Sequence, residues 1–381
     1  MKKLLFLLCI VLFAATNSNA QNALLGMTSQ GGGGGNIFKY DLTKDTLVNL
    51  YNFTDNFYGG GDPLGSLILG SDGQLYGLTE NAGNEDNGTV FKYSFATGAC
   101  PTLYNIGYSI DGNSPYGDLL QAANGLMYGM DYRGGTSVYG VLFSFNIHTQ
   151  LYKVLHDFNT GNGAYPYGSL IQATNGKLYG MTEYGGFYYQ NGVIFSFDTS
   201  SNTYTEVYNF NDTLGANPYG NLLQMPNGML YGMTSGGGAN KHGTIFKFNP
   251  VTNKLTDLYA FSIPTGSGPA ASLMMASNGL FYGTAASGGA HGYGAIFTFD
   301  TNTNIYTDIF DFNDTLGASP YCTLTQATEG MIYGMATNGG SVNYGTFFKI
   351  NLAIVLQKVG QLNAFCWTCR ENKKMKCFLL T

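Results

Sequence analysis

Charge is what this sequence has least of. Of its 381 residues only 10% are Asp, Glu, Lys or Arg, with 17 basic and 23 acidic side chains. Residues 21–365 hold eleven of the basic and twenty-two of the acidic groups, a net charge of −11. Nucleic-acid affinity rests on Lys and Arg contacts to phosphate, so no nucleic-acid partner is expected. Cysteine is also scarce. Cys9 lies in the leader, Cys100 and Cys322 are far apart, and Cys366, Cys369 and Cys377 crowd the tail. That is no disulfide scaffold. The Cys366/Cys369 pair lacks the second pair or the histidines of a zinc site, so no metal is expected. There is no Gly-x-Ser-x-Gly elbow, His-Glu-x-x-His or phosphate-binding glycine loop. No catalytic residue and no cofactor is therefore expected.

Long apolar runs are missing too. The longest, Leu4 to Ala15, is shorter than the ~20 residues a spanning helix needs. It follows Lys2 and Lys3 and precedes Asn17-Ser18-Asn19-Ala20, the three-part pattern of an export signal. Residues 1–20 are expected to be removed. The remainder is expected to work outside the cell or on its surface, or in the periplasm, with no transmembrane segment and as a monomer.

What the chain has is glycine (55), tyrosine (29) and phenylalanine (26). This mixture suits short strands, tight turns and aromatic packing. The glycines keep time. Gly26, Gly77, Gly129, Gly180, Gly232, Gly283 and Gly334 each follow an apolar or aromatic residue, at steps of 51 or 52. Phe38, Phe91, Phe143, Phe195, Phe246, Phe297 and Phe348 hold the same phase, as do prolines 63, 115, 166, 218, 269 and 320. A tandem repeat of about 51 residues is therefore plain.

Each repeat reads as four short strands, A to D. In the copy after Pro166, A is 169–173, B is 177–182, C is 192–198 and D is 203–210. Asn175-Gly176 joins A to B, where an Asn-Gly hairpin with both residues at positive φ is expected. Asn124-Gly125, Asn227-Gly228 and Asn278-Gly279 repeat that turn. A glycine inside strand B would ordinarily weaken it. Its recurrence suggests an aromatic of the adjacent blade packing on bare backbone. Asp41, Asp198 and Asp300, with Asn146, Asn249 and Asn351, close strand C and suit turn-capping. Four antiparallel strands per repeat, apolar on both faces, define the blade of an all-β propeller, most simply of seven blades.

These units, of the form Asn-Gly-Lys-Leu-Tyr-Gly-Met-Thr, then Tyr-Gly-Gly, then Gly-Val-Ile-Phe-Ser-Phe-Asp over 175–198, resemble the GloVer-type tandem repeat of exported bacterial proteins. The resemblance spans residues 23 to about 350. It implies a C-terminal surface-anchoring segment but no particular activity. Kelch repeats have a similar period, but their characteristic Trp is absent from this body.

Strands B and C occur seven times but strand A only six, because residues 21–365 open directly in strand B. Leu362-Asn363-Ala364-Phe365 echoes strand D at 258–261, and then the repeat stops. The ring is thus expected to be closed imperfectly by the tail or to keep one three-stranded blade. Residues 366–381 are basic, hold the only Trp and read as a truncated or out-of-frame end.

The B–C loops vary while the A–B turns do not, and variable loops on a rigid scaffold concentrate binding residues. They carry Tyr132, Arg133, Phe187, Tyr188, Tyr189, His242, His291, Tyr293 and Tyr344. His242 and His291 share a repeat position and are candidates to face each other across adjacent blades. Exposed Tyr beside Asn and Gly suits a glycan or protein ligand, and the blander reading is packing over neighbouring blades. The favoured expectation is a non-enzymatic surface or secreted binding module. A propeller lyase or hydrolase acting on polysaccharide, and a purely structural spacer, are the alternatives.

Overall fold

The computed structural model describes residues 23–29, 33–54, 60–107, 110–188, 190–340, 343, 345–352 and the backbone of 377–380. The leader at 1–20, and most of the tail including 362–365, lie outside the described residues. The rest forms seven blades of antiparallel strands, the expected β-propeller. In blade 4 the strands are Ile171–Gln172, Leu178–Thr182, Val193–Asp198 and Thr203–Asn209, in that order across the sheet. Strand A is shorter than the sequence suggested, because only two of its residues pair with strand B. Strands B and C are buried along nearly their whole length, while D is half exposed. A blade sandwiched between two others needs apolar side chains on both faces, and Val193-Ile194-Phe195 supplies them.

The core is distributed between blades rather than within them. Each apolar cluster joins two neighbours: Tyr76, Leu78 and Val90 of blade 2 pack with Met127, Val141 and Phe143 of blade 3. Clusters of the same make-up fill the following junctions. The ring is closed, since Leu24, Phe38 and Tyr40 of blade 1 pack with Tyr333, Met335 and Phe347 of blade 7. Lys349 Nζ, 3.0 Å from Asp45 Oδ1, bridges the same junction at its outer edge.

Blade 1 takes its innermost strand from the tail. Cys377–Leu380 pairs antiparallel with Ala23–Thr28, Leu380 opposite Leu25 and Leu379 opposite Gly26. This register matches the other blades, where Ile171 lies opposite Tyr179 and Leu170 is the residue before it. The tail thus stands where strand A is missing from the repeat. The closure expected at the C-terminus is present, as strand A of blade 1. In blade 7 three strands are described: Thr325–Gln326, Met331–Ala336 and Thr346–Asn351.

Two expectations are corrected. The strand-B glycine does not face an aromatic of the adjacent blade. Gly180 sits opposite Phe195 of its own strand C. A Cβ on Gly180 would lie 2.5 Å from Phe195 Cζ, and Gly77, Gly129, Gly232, Gly283 and Gly334 have the same neighbour in their own blades. The adjacent blade contributes the next layer: Phe158, from the loop after strand D of blade 3, meets Phe195 at 5.4 Å between centroids. The A–B turn is also different. Only its glycine is left-handed, with φ 83° at Gly125 and 82° at Gly176. Gly125 N–H donates to Ala122 C=O, so the turn spans one more residue than a two-residue hairpin loop. The Asn serves through its side chain. Asn124 Oδ1 accepts from Leu126 N–H at 3.1 Å, and its Nδ2 donates to the buried Tyr128 hydroxyl at 2.8 Å. The Asx residues after strand C do cap their turns, as when Asp198 Oδ1 accepts from Ser200 N–H at 2.9 Å.

Two belts of hydrogen bonds run from blade to blade. The inner one runs round the axis from blade 2 to blade 7. Ser66 N–H donates to Asp118 Oδ1 (2.5 Å), Asp118 N–H to Ser169 Oγ (2.7 Å), and Ser169 N–H to Asn221 Oδ1 (2.6 Å). Asn221 N–H then donates to Ser272 Oγ (2.8 Å) and Ser272 N–H to Thr323 Oγ1 (3.2 Å). The outer belt joins the A–B turns. The N–H groups of Ser71, Ala123, Thr174 and Ser277 donate to Oε1 of Gln121, Gln172, Gln224 and Gln326, each in the next blade. Between blades 5 and 6 the donor position is Pro226, which has no N–H, and the acceptor position is Met275.

Candidate functional site

The B–C loops and the D–A loops meet on one face, here the top. Ala164 and Tyr184 form one such bridge, and Ala216–Gly236, Ser267–Ser287 and Ala318–Asn338 repeat it. A carboxylate or amide at the end of strand D fixes the loop: Phe187 N–H donates to Asn209 Oδ1 at 2.6 Å, and Ala290 N–H to Asp311 Oδ1 at 2.7 Å. These bonds hold a variable loop on the end of strand D.

The residue after each phase-keeping proline leads into strand A and lines the axis. It is Leu64, Tyr116, Tyr167, Tyr219, Ala270 and Tyr321 in blades 2 to 7. All six border one cavity, together with the inner-belt residues Asp118, Ser169, Asn221, Ser272 and Thr323. Because six blades contribute equivalent positions, this cavity is the mouth of the central channel. Its volume is about 30 Å³, which accommodates water and not a drug-sized ligand.

From blade 3 to blade 5 the mouth is walled by tyrosines. Tyr116 stacks on Tyr132 at 4.6 Å, Tyr167 lies 4.9 Å from Tyr116, and Tyr219 lies 4.8 Å from Tyr167. Tyr165 packs on Tyr132 at 5.1 Å and extends the wall outward. Two carboxylates sit behind it. Glu183 is 3% exposed, and it accepts from the Tyr132 hydroxyl (3.1 Å) and the Tyr219 hydroxyl (2.6 Å). Glu80 holds the Tyr116 hydroxyl in the same way. Burial, then these carboxylates, push the Tyr116, Tyr132 and Tyr219 phenols up, so they stay neutral donors. Burial raises the Asp118 carboxyl on the channel wall, against hydrogen bonds from Ser66 and Ser169 that pull it down.

The predicted residues divide. Tyr132 belongs to the wall, and the Arg133 guanidinium lies 5.6 Å from its ring centroid. Phe187 (75% exposed) and Tyr188 (49%) form an edge-to-face pair at 5.1 Å on the tip of the blade 4 loop. His242 Nδ1 lies 3.3 Å from Ser267 Oγ on blade 5. Tyr293 is exposed on blade 6, as is His291. No ring contact or hydrogen bond joins His242 to His291 among the described residues. Each is placed by its own blade's loop. Tyr189 and Tyr344 lie outside the described residues. Sequence reasoning missed Tyr116, Tyr167, Tyr219 and Tyr321, because the motif around the proline served only as a phase marker. The signal was the variation behind that proline, where Leu64 and Ala270 interrupt a run of tyrosines.

Fold and site together define a seven-bladed propeller with an aromatic-walled channel mouth. The chain belongs to the Gloeobacter/Verrucomicrobia repeat family, whose model matches residues 13–190 and 170–369. No curated protein matches it in sequence. Among solved structures it is similar to a protein from Lactobacillus plantarum (TM-score 0.62, 16% identity, 95% of this chain and 100% of that one). It is also similar to a putative 6-phosphogluconolactonase from Bacteroides fragilis (0.60, 13%, 96% and 99%). An oligogalacturonate lyase in complex with manganese gives 0.57 and 13%, covering 84% and 83%. At such identities the likeness is one of fold.

Proposed function

We propose that this chain is an exported, non-enzymatic binding module that takes a glycan or protein ligand on its top face. The observation that carries the reading is the continuous tyrosine wall from Tyr116 to Tyr219, held by the buried Glu183 and the half-buried Glu80. Tyrosine offers broad contact area and a polar tip at low entropic cost. The exposed Phe187–Tyr188 tip lies on the same face and adds an anchor of the kind that dominates interface energetics. The leader pattern at 1–20 supports export, and no helix among the described residues is long and apolar enough to cross a membrane.

The test is a glycan array and a surface-protein capture assay run with the mature chain, Tyr132→Ala and Tyr188→Ala. Retained folding with at least about tenfold weaker binding in either variant, ~1.4 kcal/mol, supports the reading. A ligand captured equally by all three chains would sink it, and so would turnover of a bound polysaccharide.

A further inference from the structure

Two of the six described positions at the channel mouth are not tyrosine, Leu64 in blade 2 and Ala270 in blade 6, and of the two only Ala270 is small. Blades 3, 4, 5 and 7 place Tyr116, Tyr167, Tyr219 and Tyr321 there, and blade 6 places Ala270. The loop positions beside it are small as well, with Ser235 and Ala286 where blades 2, 3 and 4 have Glu80, Tyr132 and Glu183. A slot therefore opens between Tyr219 and Tyr321, and Tyr321 is 44% exposed. The slot leads to the axial cavity. None of the residues lining that cavity is Lys, Arg or His, and Asp118 supplies a carboxylate to its wall. Glu183 lies immediately behind Tyr219.

We propose that this slot receives a single basic side chain, Lys or Arg, presented by an exposed loop of a protein partner. The inference rests on the top-face reading above and names the partner chemistry. Three features select that occupant. The cavity, about 30 Å³, has room for the tip of one side chain and not for a sugar ring. Its walls offer tyrosine faces, which attract an ammonium or guanidinium within about 6 Å of the ring. Its one carboxylate, Asp118, has no basic residue beside it in the lining, so an incoming cation gains attraction without displacing one.

The fold supplies its own controls. Ala270→Tyr installs the residue that four other blades carry, so it fills the slot without a foreign packing problem. Asp118→Asn installs the residue that blade 5 carries as Asn221, and an Asn oxygen can still accept from Ser66 N–H. Binding of a blocked Gly-Gly-Arg-Gly-Gly peptide, its Lys form and its citrulline form is measured by calorimetry and NMR titration. Saturable binding of the Arg or Lys peptide is expected, with the neutral citrulline form weaker by about tenfold. Ala270→Tyr abolishes it, and Asp118→Asn weakens it and flattens its salt dependence. Equal binding of the citrulline peptide, undiminished binding by Ala270→Tyr, or no binding of either basic peptide overturns the inference. A partner captured by Ala270→Tyr but lost with Tyr132→Ala leaves the top-face reading standing and removes only this one.

Discussion

At the residue scale the repeat is a device for placing one phenylalanine. The strand-B glycine leaves bare backbone, the strand-C ring covers it, and an aromatic from the loop after the preceding blade's strand D covers that ring. Gly180→Ala puts a methyl within 2.5 Å of Phe195 Cζ. Forcing such a contact costs about 1–3 kcal/mol, which should appear as a lower urea midpoint. Gly180→Ala combined with Phe195→Leu should recover part of that loss; no recovery would mean the glycine is needed for its backbone alone. Both markers were legible in the sequence. Their partnership was not, because periodicity gives the positions of Gly180 and Phe195 without the strand register that sets them face to face. The Asn of the A–B turn was misread for a related reason. Asn-Gly fits two turn geometries, and only the placement of Tyr128 tells which one the side chain serves. The thiols of Cys100 and Cys322 are pushed by burial up to about 12, so neither is expected to react with a mild alkylating agent in the folded chain.

At the element scale the blade-to-blade contacts decide stability. The outer belt is broken between blades 5 and 6, and the break is matched on both sides: Pro226 offers no N–H where Met275 offers no acceptor. A glutamine placed alone at position 275 gains no partner at Pro226. Pro226→Thr with Met275→Gln should rebuild the bond seen between Thr174 and Gln224. A double-mutant cycle is expected to show favourable coupling of about 0.5–1.5 kcal/mol, and zero coupling would contradict this account. The seam is the other element-scale test. Deleting Cys377–Leu380 exposes the edge of Ala23–Thr28, so amide exchange there should accelerate before it does in blade 4. The sequence showed that strand A of blade 1 was missing. It did not show the tail filling that place, because Phe378, Leu379 and Leu380 carry no phase marker and only pairing with Leu25 reveals their register.

For the whole molecule, buried acids set the pH response. Asp131 is fully buried where most blades have Thr, and burial drives its carboxyl well above the usual range. Asp308 is raised to about 6, by burial first and by Asp311 next. A carboxyl raised in the folded state favours folding most below its unfolded value of about 3.9. That contribution is lost as pH rises through the folded value. For these two groups the chain is therefore expected to be more heat-stable near pH 4 than near pH 7. Asp131→Asn and Asp308→Asn should each flatten the profile. A melting profile that rises over this window, and that neither variant alters, would contradict the assignment. The channel mouth belongs to this scale too. Tyr116, Tyr167 and Tyr219 are each about one repeat apart, and only closure of the ring brings them together. This is why a reading confined to single loops found Tyr132 and Arg133 and missed the wall they join.

The inner belt has a direction, since each of blades 2 to 6 donates to the one after it. Any blade with a backbone N–H on one side and a Ser, Thr, Asn or Asp on the other can therefore follow any similar blade. Within that belt the repeats are interchangeable parts, and copying or reordering them leaves the linkage grammatical. The Pro226–Met275 junction breaks this freedom. Moving blade 6 elsewhere would strand an N–H opposite a thioether, and moving another blade into its place would set a glutamine against a proline. At that boundary the order of an otherwise repetitive ring is written into its chemistry.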